Sequence, residues 1–233
     1  LTEQIKRMDI KGRIIPVRLR RNNKARRIIL RVDQDNDGAV LTLPRRAAEA
    51  DALALLEEQS AWLLDRLDGM PPRVPFADGA AIPILGEEHL IRHEPILRGG
   101  VIRERGVINV SGRIEHLPRR VRDWVRKEAR AAIEPVADAF ARRLDLKYSK
   151  ISIRDTKSRW GSCAASGNLS FSWRLLMTPQ WVLDYVVAHE VSHLAHMNHG
   201  PAFWRTVASL DVMTDRAREW LNRESARLHR IGS

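Results

Sequence analysis

Five consecutive residues, His189-Glu190-Val191-Ser192-His193, carry the strongest chemical signal in the sequence. Residues four apart on an α-helix differ by ~40° in azimuth and stand one turn apart, so both imidazoles can reach one metal ion from one face. Glu190 lies beside them, able to reach a water at the ion without being a ligand itself. A third donor is needed, and both His196 and His199 follow. On a continuous helix His196 lies ~10.5 Å along the axis from His189, too far for both to meet one ion at ~2.0–2.1 Å. His199 sits between Asn198 and Gly200-Pro201, helix-stop signals that let the chain turn back, and is the expected third ligand. His196 is left to orient a ligand, approach substrate or cap the helix end.

A helix must carry this motif, and Thr178-Pro179 predicts its start: a side-chain oxygen at the N-cap and proline in the first turn. It is expected to run to about Met197. Strands are expected at Ile151–Ile153 and Leu169–Trp173, with a Gly-, Ser- and Ala-rich loop between them. Before them a helix is predicted from Pro118 to Leu144, with Val121, Trp124, Val125, Ala129, Ile133 and Phe140 as its apolar stripe. Further helices are expected over Ala202–Ser209 and Thr214–Leu228.

The first half reads differently. Arg26–Val32 and Ala39–Leu43 flank Asp35-Asn36-Asp37-Gly38, the Asp-Gly signal of a hairpin. Arg45–Leu67 has helical spacing and Gly69-Met70-Pro71-Pro72 stops it. Residues 80–110, broken repeatedly by Gly and Pro, predict short strands in a small antiparallel sheet. The expected fold class is α+β: a β-rich N-terminal part with one long helix over 1–112, then a catalytic α+β part over 113–233.

Composition narrows the setting. The chain has 233 residues, 44% of them hydrophobic and 30% charged, within the range of one large or two small globular domains. No run approaches the ~18–20 apolar residues of a membrane span, and no charged-then-apolar leader is seen. One cysteine, Cys163, excludes an internal disulfide and favours a reducing compartment, so the expected location is cytoplasmic. Forty basic against 29 acidic residues give a net charge of +11, and nine basic residues with no acidic one fall between Lys11 and Arg31. That segment reads either as a surface for nucleic acid or nucleotide or as a basic face whose arginines are solvated or paired with Glu57–Glu58 and Glu87–Glu88. In a strand, Arg18 and Arg20 share one face while Val17 and Leu19 pack inward.

The stretch Tyr185–Leu194 with Met197-Asn198-His199 and Phe203-Trp204 resembles the YgjP-like metallopeptidase family, related to the SprT and WLM zinc metalloproteases. Lys157–Cys163 is similar to that family's second signature, and Asn168–Leu175 continues it. The resemblance extends more loosely to Lys24–Ile28 and the Asp37–Pro44 strand. It implies a zincin-like C-terminal domain, Zn²⁺ on His189, His193 and His199, and Glu190 as catalytic base. The His193-to-His199 spacing equals that of the metzincins, which have glycine where this chain has His196 and a methionine turn that finds no counterpart here.

The ligand set implies a water activated by zinc, Glu190 accepting its proton, and a nearby donor for the developing oxyanion. Candidates for that donor or for substrate contact are Arg159, Trp160, Arg174, Tyr185 and His196. Tyr185 can equally be core packing. Arg159-Trp160 before Gly161-Ser162 can admit a substrate backbone or form a tight turn against the metal helix. Cys163 can coordinate metal but reads better as a small buried thiol, and Trp173 and Trp204 as core.

Three functions compete. The first is a zinc peptidase acting on peptide or protein, with Leu169–Trp173 as an edge strand pairing with substrate. The second is a zinc hydrolase of nucleoside triphosphates. The third is a nucleic-acid-associated module with a structural metal, which Glu190 argues against because structural sites are usually closed by four protein ligands.

Overall fold

The computed structural model describes residues 3–33, 36–156 and 159–232. The chain divides into two compact units, Leu1–Pro72 and Arg73–Ser233.

The first unit begins with a hairpin of β1 (Glu3–Ile10) and β2 (Arg13–Arg21). Its two-residue turn, Lys11-Gly12, has both φ angles positive, the mirror-image geometry that matches strand twist. A second hairpin follows, β3 (Ile29–Asp33) with β4 (Gly38–Leu43). Its predicted turn signal begins at Asp35, which lies outside the described residues. β2 and β4 pair in parallel, giving the order β1-β2-β4-β3. Alternation then sorts the faces: Ile15, Val17, Leu19, Ala39, Leu41 and Leu43 are buried with Leu56 and Leu63. Those leucines come from α1 (Glu49–Glu58) and α2 (Ser60–Asp68), so the long helix expected over 45–67 is two helices broken at Gln59.

Arg18 does turn away from Val17 and Leu19, but it is not free. Its guanidinium pairs with Glu3 at 3.2 Å and Asp33 at 3.1 Å. Arg20 donates to the Thr42 hydroxyl, and Arg21 to the carbonyls of Pro44, Arg45 and Ala47. Part of the basic segment therefore ties the sheet to itself.

The second unit opens with β5 (Ala81–Ile84), β6 (Glu87–His93), β7 (Val101–Glu104) and β8 (Val107–Val110), ordered β5-β6-β8-β7 with β6 and β8 parallel. α3 (Leu117–Arg143) follows, burying Val121, Val125, Ala129, Ile133, Ala137 and Ala141, every fourth residue of one stripe. Ile82, Ile84, Ile91, Ile108 and Val110 share one core with that stripe. The break between compact units therefore falls at Pro72/Arg73 and not at 112/113.

β9 (Lys150–Arg154), β10 (Gly161–Cys163) and β11 (Asn168–Ser172) form a second sheet in the order β10-β11-β9. The segment expected to be an edge strand, β11, is central: it pairs antiparallel with β10 and parallel with β9. A 3-10 turn at Trp173–Met177 leads into α4 (Gln180–Ser192), then α5 (Pro201–Ala208) and α6 (Thr214–His229). No helix among the described residues is long and apolar enough to cross a membrane.

Candidate metal centre

α4 is buried along most of its length, through Val182, Leu183, Val186, Val187, Ala188 and Val191. Its start differs from the sequence reading. Thr178 is buried and its hydroxyl donates to the Leu175 carbonyl of the preceding turn, so Pro179 stands at the N-cap. Its end differs more. The helix stops at Ser192 with His193 as C-cap, five residues short of Met197. Leu194, Ala195 and His196 curl back through backbone bonds to Val191 and Ser192. This early stop brings His199 back over the helix end.

The ligand atoms of His189, His193 and His199 lie within 4.8 Å of one another. The Nε2 atoms of His189 and His199 are 3.0 Å apart. Two imidazole nitrogens ~2.0–2.1 Å from one tetrahedral ion stand ~3.3 Å apart, so this donor set fits a metal. His193 Nδ1–H donates to the backbone carbonyl of His196 at 2.9 Å, leaving Nε2 as the lone-pair nitrogen. His196 thus orients a histidine through its main chain, and its imidazole is outside the cluster. Burial, with help from the neighbouring His193, His199 and Arg218, pushes His189 down to about 4; burial also lowers His193. Both are therefore neutral, the form that ligates metal.

Phe203 of α5 is fully buried and forms the floor, its ring centroid 4.9, 4.5 and 4.8 Å from those of His189, His193 and His199. Trp204 stacks on His199 at 5.9 Å. Spacing alone assigns neither aromatic a place at a metal. The sequence signals were the Gly200-Pro201 helix start that aims α5 at the site and the place of Phe203-Trp204 in the family resemblance.

Glu190 is 7% exposed, and burial pushes its carboxyl up to about 7 while Arg159 pulls it down. β10 runs against it. A Cβ on Gly161 would lie 2.5 Å from Glu190 Cγ and 2.6 Å from Oε1. Gly161 packs on the metal helix as one sequence reading has it, but from strand β10 and not from a tight turn, and glycine is required by side-chain proximity. Gly161→Ala is expected to displace Glu190 and lower kcat/KM roughly 10²-fold with unchanged metal content, since ~1 Å of misplacement costs about that much. Wild-type kinetics in this variant would mean that Glu190 tolerates displacement.

A cleft of about 320 Å³ opens beside His189 and Glu190. Arg159, Trp160 and Tyr185 line it, as does Arg218 of α6, which the sequence did not single out. α6 carries several arginines with no local feature to distinguish this one. Arg218 stands 5.6 Å above the Trp204 ring. Tyr185 is mostly buried, its ring 6.0 Å from that of His189, and burial raises its phenol.

Arg174 is not available to substrate. It is 4% exposed, pairs with Asp155, and donates to the carbonyls of Leu228 and Ile231, fastening the chain end to the turn after β11. Cys163 is half-buried, its thiol pushed up by burial, and stands outside the histidine cluster. Trp173 is fully buried, as core.

Residues 26–224 match the family model described as YgjP-like, metallopeptidase domain. The chain belongs to the YgjP-like metallopeptidase family. A member of this family is a peptidase that requires a metal, with peptide or protein as substrate. The crystal structure of the metallopeptidase zymogen abylysin of Pyrococcus abyssi aligns with this YgjP-like chain at 22% identity and a TM-score of 0.36, covering 42% of this chain and 97% of that one. No curated protein matches.

Proposed function

We propose that the second compact unit is a zinc-dependent peptidase in which His189, His193 and His199 hold Zn²⁺ and Glu190 is the general base. The observation that carries this reading is a buried carboxylate on the residue after His189, in the cleft that His189 also lines. Zinc bound there supplies a Lewis acid and brings the pKa of a water to ~7. Glu190 then takes the proton of the attacking water and delivers it to the leaving amine. Arg218, Arg159 and Tyr185 are the donors for the developing oxyanion, since all three line the same cleft.

Extended substrate pairs along β10, the free edge beside Glu190. Trp160 O accepts from Ser172 N and Ala164 N donates to Asn168 O, so Gly161 and Cys163 turn their peptide groups away from β11. Among the described residues no strand takes that edge. Main-chain pairing there presents the substrate with little demand on its sequence.

The test is a comparison of casein-derived peptides with nucleoside triphosphates. Peptide cleavage is expected, abolished by a chelator and restored by Zn²⁺. Phosphate release without peptide cleavage overturns the peptidase reading in favour of nucleotide hydrolysis.

A further inference from the structure

A second cavity, of about 660 Å³, adjoins the catalytic cleft, and Arg159 lines both. Its walls carry Arg126 of α3, Arg154 of β9, Arg159, Thr156, Ser162 and Ser170. Three arginines and three hydroxyl residues therefore line one space, the Thr156 hydroxyl donating to the Arg159 carbonyl. Among the described residues, Arg126, Arg154 and Arg159 make no side-chain hydrogen bond or ion pair. Longer-range attraction links Arg126 to Asp155 and Arg159 to Glu190. Asp155 also lines the cavity, but its carboxylate is already engaged by the buried Arg174. Three like charges stand here against the one carboxylate of Asp155, which Arg174 already holds, and an anion with several acceptor oxygens relieves their repulsion while accepting planar guanidinium donors.

Strand register says which part of a substrate arrives there. Ser162 and Ser170 are cross-strand partners, so their side chains share one sheet face. Gly161, one residue earlier, faces Glu190. A peptide paired on the edge of β10 alternates in the same way. A residue level with Gly161 sits on the Glu190 side, and its neighbour level with Ser162 projects toward the arginine cavity.

We propose that this cavity is a specificity subsite for the carboxylate of an Asp or Glu side chain next to the cleaved peptide bond. The proposal rests on the peptidase reading and names its substrate class, acidic peptides.

The zinc-loaded enzyme is assayed on peptide pairs that differ only in Glu against Gln at one position. The Glu peptide is expected to be cleaved about 10- to 100-fold better in kcat/KM, the range of charge-assisted hydrogen bonds. In Arg126→Gln/Arg154→Gln the ratio falls to about 1 while the Gln peptide keeps its wild-type kinetics. Both arginines are exposed, and Arg126→Lys/Arg154→Lys, which keeps the charge, retains part of the preference. Equal cleavage of the two peptides by wild type, or a preference that survives the double Gln variant, overturns the proposal.

A binding arm separates this from the peptidase reading. N-acetylglutamyl amide is expected to raise the wild-type Tm, and neither N-acetylglutaminyl amide nor the double Gln variant gives a shift. That pattern with no peptide cleaved supports the carboxylate site and refutes the peptidase reading. A shift with inorganic phosphate and none with the glutamyl amide overturns the carboxylate assignment.

Discussion

Glu190→Gln leaves the protein folded and its metal content unchanged, and lowers kcat/KM for peptide cleavage by ~10²–10⁴-fold, the usual contribution of a general base. Glutamine matches the size of glutamate, so the fit of Gly161 against this side chain is kept, while an amide cannot accept the water's proton. The pH profile sharpens the test. A base must be unprotonated, so the wild-type rate falls as pH drops through the Glu190 pKa, and this acid limb is missing from the variant. Burial, partly offset by Arg159, pushes that carboxyl up to about 7, and a bound cation draws it lower.

Stability of the metal-free protein gives an independent readout with a definite sign. A carboxyl raised from 4.5 to about 7 by folding binds its proton more tightly in the native state. The penalty is absent below the unfolded pKa and fully present above the folded one, so Glu190 costs the metal-free protein stability as pH rises through that window, while the lowered His189 acts in the opposite sense. Glu190→Gln removes the Glu190 contribution alone, so the variant gains on wild type as pH rises from 4.5 to about 7 and is expected to melt no lower than wild type above that. Near-normal turnover in this variant sinks the proposed mechanism.

Removing a ligand has the larger effect. His189→Ala, His193→Ala and His199→Ala are each expected to reduce bound zinc from one per chain to near zero and to abolish hydrolysis. Each also loses the thermal stabilisation that metal confers on wild type, worth ~4 kcal/mol at a thousandfold excess over Kd. His196→Ala behaves differently. Only its main-chain carbonyl touches His193, so the variant keeps zinc and most activity. Metal analysis decides: zinc retained by His199→Ala and lost by His196→Ala would falsify the ligand assignment.

That His199 and not His196 would cluster with His189 and His193 was legible because it turned on local chemistry: helix rise per residue and the stop signals around Gly200-Pro201. The reason was only partly right, since α4 ends at Ser192 and not at Met197. Helix caps depend on which carbonyls find tertiary partners, and spacing does not report that. The α3 stripe was legible in the same way, with Val121, Val125, Ala129 and Ile133 repeating at helical period and all buried. Val17 and Leu19 inward with Arg18 outward followed from strand alternation. These features rest on interactions within one or two turns of chain.

What tertiary structure decided involves partners far apart in sequence. The residue-72 boundary depends on β5–β8 sharing a core with α3. β11 is central because β9, some 18 residues earlier, pairs with it in parallel. Arg174 was a candidate for substrate contact and is instead consumed by Asp155 and two carbonyls more than fifty residues away. Phe203 beneath the histidines, Gly161 against Glu190 and Arg218 in the cleft likewise meet the site only after the chain has folded. By itself the sequence determined which imidazoles and carboxylate could meet and the helical pitch that brings His189 and His193 together, because both are set by covalent order and backbone geometry. Their burial, their charge state and the groups that face them were decided by packing, since desolvation and Coulomb terms act through space and not along the chain.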